Sequence, residues 1–146
     1  MHARRMLPAG TWEPAREVDR VLLDFDHRHR RRIRLCTESG RELLLDLPDA
    51  VHLRQDDGLL LEQGGVVRVG ARPEPLLEFC AFPAALMRIA WHLGNRHLPV
   101  QFLDNRIRIR ADHVIGAMVQ KLGGDVYPVE APFDPEAGAY SHSEHD

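Results

Sequence analysis

Between about residues 12 and 72, apolar positions come in short runs that alternate with polar ones and are cut by turn formers. "RRIRLCT" and "RELLLDL" flank "ESG", a glycine-containing link of the kind that joins hairpin strands. "GLLLEQGGVVRVGA" repeats the arrangement around Gly64 and Gly65. This spacing predicts a small all-β unit. "ARPEP", at 71 to 75, is expected to break a central strand and to join two units, because proline cannot donate to a sheet ladder.

Helical and strand periods alternate in the second half. "PLLEFCAF" reads as a strand with Leu77, Phe79 and Ala81 on one face. Phe82, Leu86, Ile89, Ala90 and Leu93 then recur at helical spacing and predict a buried stripe. Gly94 and Asn95 are expected to end that helix in the left-handed conformation, with Pro99 preventing its resumption. "VQFL" and "RIRIR" follow as strands around Asp104 and Asn105. Asp112 is placed to cap a second helix with the stripe Ile115, Met118, Val119 and Leu122, ended by Gly123 and Gly124. "DVYPVEA" supplies a last strand, and Pro128 predicts an edge position for it. The fold class is α+β: a small N-terminal all-β domain followed by a ferredoxin-like βαββαβ domain. The expected divisions are 1–73, 74–138 and a polar His-containing tail at 139–146.

Composition narrows the classes. With 44% hydrophobic and 28% charged residues the chain is globular, not disordered. A formal charge of -3 exerts no overall pull toward nucleic acid or an anionic membrane. "CAFPAALMRIAW", interrupted by Arg88, is far shorter than the ~20 residues of a membrane span. "MHARRMLPAG" lacks the apolar core of a secretory signal, so a cytoplasmic location is expected. Cys36 and Cys80 stand apart with no CxxC pair and read as buried small hydrophobes.

Candidate chemistry rests on histidine and arginine. "WHLGNRHLPVQ" sets His92 near a helix end and His97 just past it, where the ordinary reading is a solvated loop side chain. His113 falls in the first turn of the second helix, beside Asp112. His27 and His29 in "DFDHRHR" would chelate if they shared a strand face. "RHRRRIR" and the series Arg106, Arg108, Arg110 alternate as strands do. They read either as a solvated, salt-bridged face or as a docking face for acidic partners.

"HLGNRHLPVQ", then "DHVI", then "APFDPEAGAYSHSEHD" resemble, in order and content, the urease accessory nickel metallochaperone family, UreE. "RIRLCTESGRELLLDLP" matches the family's first domain more loosely. The resemblance implies a β domain suited to protein contacts and a ferredoxin-like domain that pairs as a homodimer. Nickel is then held at the dimer centre by the second histidine of the HLGNRH motif, here His97. It implies as partners the urease accessory GTPase and the urease apoprotein complex. His142 and His145 in the tail, and His113, are the further metal candidates. Two departures stand out. Ala111 occupies the place where some members carry a second peripheral histidine, and the tail has no polyhistidine run.

Neutral imidazole suits Ni(II), and also Zn(II) and Cu(II), which are therefore the expected competitors. One histidine is too few for a site, but a residue near a twofold axis meets its own copy and becomes two ligands. Two rival readings fit the residues less well. An RNA-binding module needs aromatic residues on the central strands, where this chain has "RIRIR". A metallohydrolase built on His97, His113 and Asp112 would need a general base, and none stands at a recognisable spacing. A carrier, not an enzyme, is the expectation.

Overall fold

The short runs of the first half form six strands: β1 (His2–Leu7), β2 (Glu17–Leu23), β3 (Arg32–Cys36), β4 (Glu42–Asp46), β5 (Gly58–Leu61) and β6 (Val66–Ala71). They belong to a computed structural model in which residues 1–136 are described. Their spatial order is β2-β6-β5-β1-β4-β3. β3 and β4 make the expected antiparallel hairpin, as do β5 and β6. Alternation sends Leu35, Leu43, Leu45, Leu59, Val67 and Val69 into one core.

β1 lies in the middle of this sheet, parallel to β4 and antiparallel to β5, and the sequence pattern did not reveal it. A register shift between Ala3 and Arg5 explains why, since a bulge breaks the period of two on which strand recognition depends. The hairpin turn also reaches the opposite edge strand, where Glu38 N–H donates to Arg20 O at 2.8 Å. There the Ser39 hydroxyl and N–H donate to the buried Asp19 carboxylate. Burial pushes the Asp19 carboxyl up, but the bonds from Ser39, Thr37 and Arg20 outweigh it and hold it at about 2.

Three expectations for this unit need correction. Cys36 is exposed, because it shares the outward parity of Arg32 and Arg34 on β3. Arg28 does not alternate with them. It sits fully buried in a 3-10 turn, its guanidinium donating to the carbonyls of Leu23 and Leu53. His27 lies in that same turn, 2.6 Å from Asp24, while His29 faces the His52 ring, so the two do not share a strand face.

A second unit begins at Pro73. It comprises β7 (Pro73–Cys80), α1 (Pro83–Asn95), β8 (Gln101–Leu103), β9 (Arg106–Arg110), α2 (His113–Lys121) and β10 (Asp125–Pro132). The strand order is β10-β7-β9-β8, so Pro128 does lie on an edge strand. Together the units give the α+β architecture expected, an all-β part followed by a βαββαβ part.

Contrary to the reading of "ARPEP" as a strand breaker, Pro73 and Pro75 belong to the interior strand β7. The register shows how. β9 pairs with β7 only from Leu76 onward, and beyond it a single bond, Ala111 N–H to Pro75 O, asks for a carbonyl and not a donor from Pro75. Pro73, Pro75, Pro128 and Pro132 all fall on one parity of the β7–β10 ladder. That parity directs backbone N–H groups away from the partner strand, so no ladder bond is lost.

Both helices cover the face carrying Phe79, Ile107 and Ile109, packing Ile89, Leu93, Ile115 and Val119 against it. Leu86, Ala90, Met118 and Leu122 join as partly buried neighbours. Phe82 does not belong to the stripe: it precedes the helix in extended conformation and is 86% exposed. α2 ends as expected, Gly123 taking φ 93°. Beyond β10, residues 133–136 cross to the other edge of the sheet. Phe133 is fully buried, Asp134 N–H donates to Gln101 Oε1 at 3.1 Å, and Glu136 N–H donates to Val100 O at 2.7 Å. The expected boundary at 138/139, His142 and His145 lie outside the described residues.

Candidate metal centre

α1 continues through Gly94 and Asn95, so neither residue is the stop. The chain turns at the next two positions. His97 N–H donates to Gly94 O at 3.0 Å and Leu98 N–H to Leu93 O at 3.3 Å, the paired bonds that satisfy the last carbonyls of a helix. The residue that takes the left-handed conformation in this pattern is His97 itself, with φ 57°. Glycine is the usual occupant there, because a Cβ in that conformation costs roughly 1–2 kcal/mol. Among the described residues the only other non-glycine with positive φ is Asp56.

A tight reversal demands this geometry. β8 starts at Gln101, and Leu98 and Val100 must reach the core immediately after the helix. They hold the turn in place from its C-terminal side, and the buried Leu93 holds it from the other. The His97 imidazole, by contrast, is exposed. An exposed side chain on a doubly anchored and strained backbone points to function, since packing alone would have favoured glycine.

The helix that leads into the His97 turn also exposes apolar surface. Met87 and Trp91, four residues apart, are 74% and 62% exposed, and Phe102 on β8 is 50% exposed. Leu86, Met87, Ala90, Phe102 and Ile107 line a shallow groove of about 320 Å³. His92 is half-buried, its ring edge-on to Trp91.

His113 is the first residue of α2 and is exposed. The neighbouring Asp112 carboxylate accepts from Val114 N–H at 3.0 Å and Ile115 N–H at 3.1 Å, so it serves the helix cap. A groove of about 530 Å³, lined by Leu98, Pro99, Ile109, Arg110, Ala111 and Asp112, adjoins both the His97 turn and the start of α2. Among the described residues, no three His, Cys, Asp or Glu side chains gather at metal-binding range. Among the described residues, His97 and His113 are each exposed and neither belongs to a cluster of three such side chains.

The arginine series on β9 is tied down. Arg106 and Arg108 donate to the two carboxylate oxygens of Glu78 at 2.9 and 2.8 Å. Glu78 is buried, which pushes its carboxyl up, but the two guanidinium partners more than offset this and lower it. The salt-bridged reading of this face is the one the geometry favours. A single acidic residue inside the apolar run "PLLEFC" was the available signal for it. Phe133, an aromatic residue just past the last strand period, was the signal for the crossing segment. Nothing in the local sequence marks His97 over Gly94 or Asn95 as the left-handed residue.

Comparison with known proteins matches the sequence to a family. The UreE urease accessory protein models cover the chain in two parts, the N-terminal domain at residues 2–72 and the C-terminal domain at 74–146. A urease accessory protein UreE from Bradyrhizobium sp. is 53% identical over 146 residues, spanning 99% of this chain and 69% of the relative. One from another Bradyrhizobium strain is 51% identical, spanning 100% and 74%. One from Beijerinckia indica is 47% identical, spanning 100% and 84%. On these matches the chain belongs to the UreE family of urease accessory proteins, which are chaperones of urease maturation and not enzymes.

Proposed function

We propose that this chain carries Ni(II) as exchangeable cargo to the urease maturation complex. The ion is held between two copies by His97 of each, with His142 and His145 of the tail completing the shell. The observation that carries this reading is the exposed imidazole of His97 on a left-handed, doubly bonded helix end. One such side chain is a weak ligand, and a twofold axis doubles it. The exposed Met87 and Trp91 on the same helix supply apolar surface for that pairing. His113 is an auxiliary ligand, lacking a second imidazole at Ala111.

A carrier must also release its load. Micromolar affinity corresponds to about -8 kcal/mol, against ~10–16 kcal/mol for a structural zinc site. A few histidines shared between subunits suit the weaker regime. Zn(II) and Cu(II) compete for the same imidazoles. The receiving partners are the urease accessory GTPase and the urease apoprotein complex, met in the cytoplasm, and the β unit provides the protein contacts. Among the described residues no helix is long and apolar enough to cross a membrane.

Calorimetric titration with nickel tests the ligand assignment. Only unprotonated imidazole binds, and its ordinary pKa is ~6.5, so affinity should drop at least tenfold between pH 7.5 and 5.5. His97→Ala should lose the tight event at both values. Equal affinity at the two pH values would exclude histidine as the main ligand.

A further inference from the structure

We propose that His29 and His52 form a two-imidazole site for a transition-metal ion of the Zn(II) class, within the first unit and apart from the His97 centre. The proposal goes beyond the nickel reading and does not depend on it. The two histidines come from different connections, His29 from the one that follows β2 and His52 from the one that follows β4. Buried Arg28 ties these connections together. Its guanidinium donates to Leu23 O and Leu53 O, and its own carbonyl accepts from Leu53 N–H at 2.8 Å. The residues flanking that junction, His29 and His52, are thereby brought together, with ring centroids 5.2 Å apart and planes inclined by 48°.

Two imidazoles that share one ion at nitrogen–metal distances of about 2.1 Å have centroids roughly 4.5–5.2 Å apart, the upper figure belonging to a tetrahedral angle. The observed spacing meets that figure. His52 is half-buried, and its ring stands edge-on to buried Phe25 at 4.7 Å, which holds one ligand in place. His29 is exposed, and the broad torsion at its ring bond lets it turn a nitrogen toward the shared point. Neutral imidazole suits Zn(II), Cu(II) and Ni(II), and the remaining positions around the ion stay open to water. His27 is left out of the pair. Its Nδ1 lies 2.6 Å from Asp24 Oδ1, an oxygen that also accepts from His27 N–H, and among the described residues no third ligand joins the two imidazoles. Two protein ligands make a weak, exchangeable site, and the buried Arg28 cation in the same turn weakens it further.

The test is calorimetric titration of the full chain with Zn(II) in the background His97→Ala/His113→Ala/His142→Ala/His145→Ala, which removes every ligand of the proposed nickel centre. That background should still bind one ion per chain. Adding His29→Ala or His52→Ala should weaken this binding roughly tenfold or more, since losing a partner that merely orients a ligand already costs about 10–100-fold. The two together should cost little more than either alone, and His27→Ala should leave the binding unchanged. Should His52→Ala fail to fold, as read by circular dichroism, the exposed His29 decides alone. No binding in the background, undiminished binding on adding His29→Ala, or a loss in His27→Ala equal to that in His29→Ala would overturn the site. None of these results bears on the nickel centre, which is read in the chain that keeps His97.

Discussion

His97 occupies a backbone position whose preferred residue cannot ligate a metal. That conflict can be measured. Restoring glycine removes the left-handed penalty, whereas alanine keeps it, so His97→Gly should be more stable than His97→Ala by about 1 kcal/mol. Both should lose nickel binding alike. Urea denaturation of the two variants checks the first half, and equal stabilities would show that the turn is unstrained. At Asp19, a carboxyl held at about 2 in the folded chain against 3.8 ordinarily contributes roughly 2 kcal/mol at neutral pH. Because the folded value is depressed, this stability is complete above about pH 4 and is lost as pH falls toward 2. Asp19→Asn should remove most of it at pH 7, and its unfolding free energy should vary less than the parent's between pH 4 and 2.

At the scale of elements, periodicity made most of the fold legible. Ile89, Leu93, Ile115 and Val119 carry a helical period that survives in the packed core, and Asp112 caps α2 as its side chain demands. The failures share a cause, namely that a partner distant in sequence decided the outcome. β1 is a strand because β4 and β5 flank it, despite its bulge. Pro73 and Pro75 are tolerated because the β9 ladder stops at Leu76 and the one bond past it uses the Pro75 carbonyl, not a donor. Likewise, the metal candidates could be named from the motif, but the strain at His97 emerges only once Leu98 and Val100 are seen to require an immediate reversal. Glu78 is the element-level test on β7. Glu78→Gln keeps the shape but leaves Arg106 and Arg108 without a counter-charge, and should cost about 1–3 kcal/mol by urea denaturation. A change under 0.5 kcal/mol would place the pair among the weak surface bridges.

At the scale of the molecule, a small chain with a modest core in each unit offers one outward imidazole on a rigid turn, and apolar surface on the helix leading to it. Each feature is incomplete in a single copy, and the twofold pairing proposed above would complete both. The most direct test is nickel stoichiometry measured together with mass in solution, for the parent and for His97→Ala. The account predicts one tightly held ion per two chains, in a particle of twice 16.6 kDa, with the ion lost and the pair retained in His97→Ala. One ion bound per 16.6 kDa monomer, or tight binding unchanged without His97, would contradict it.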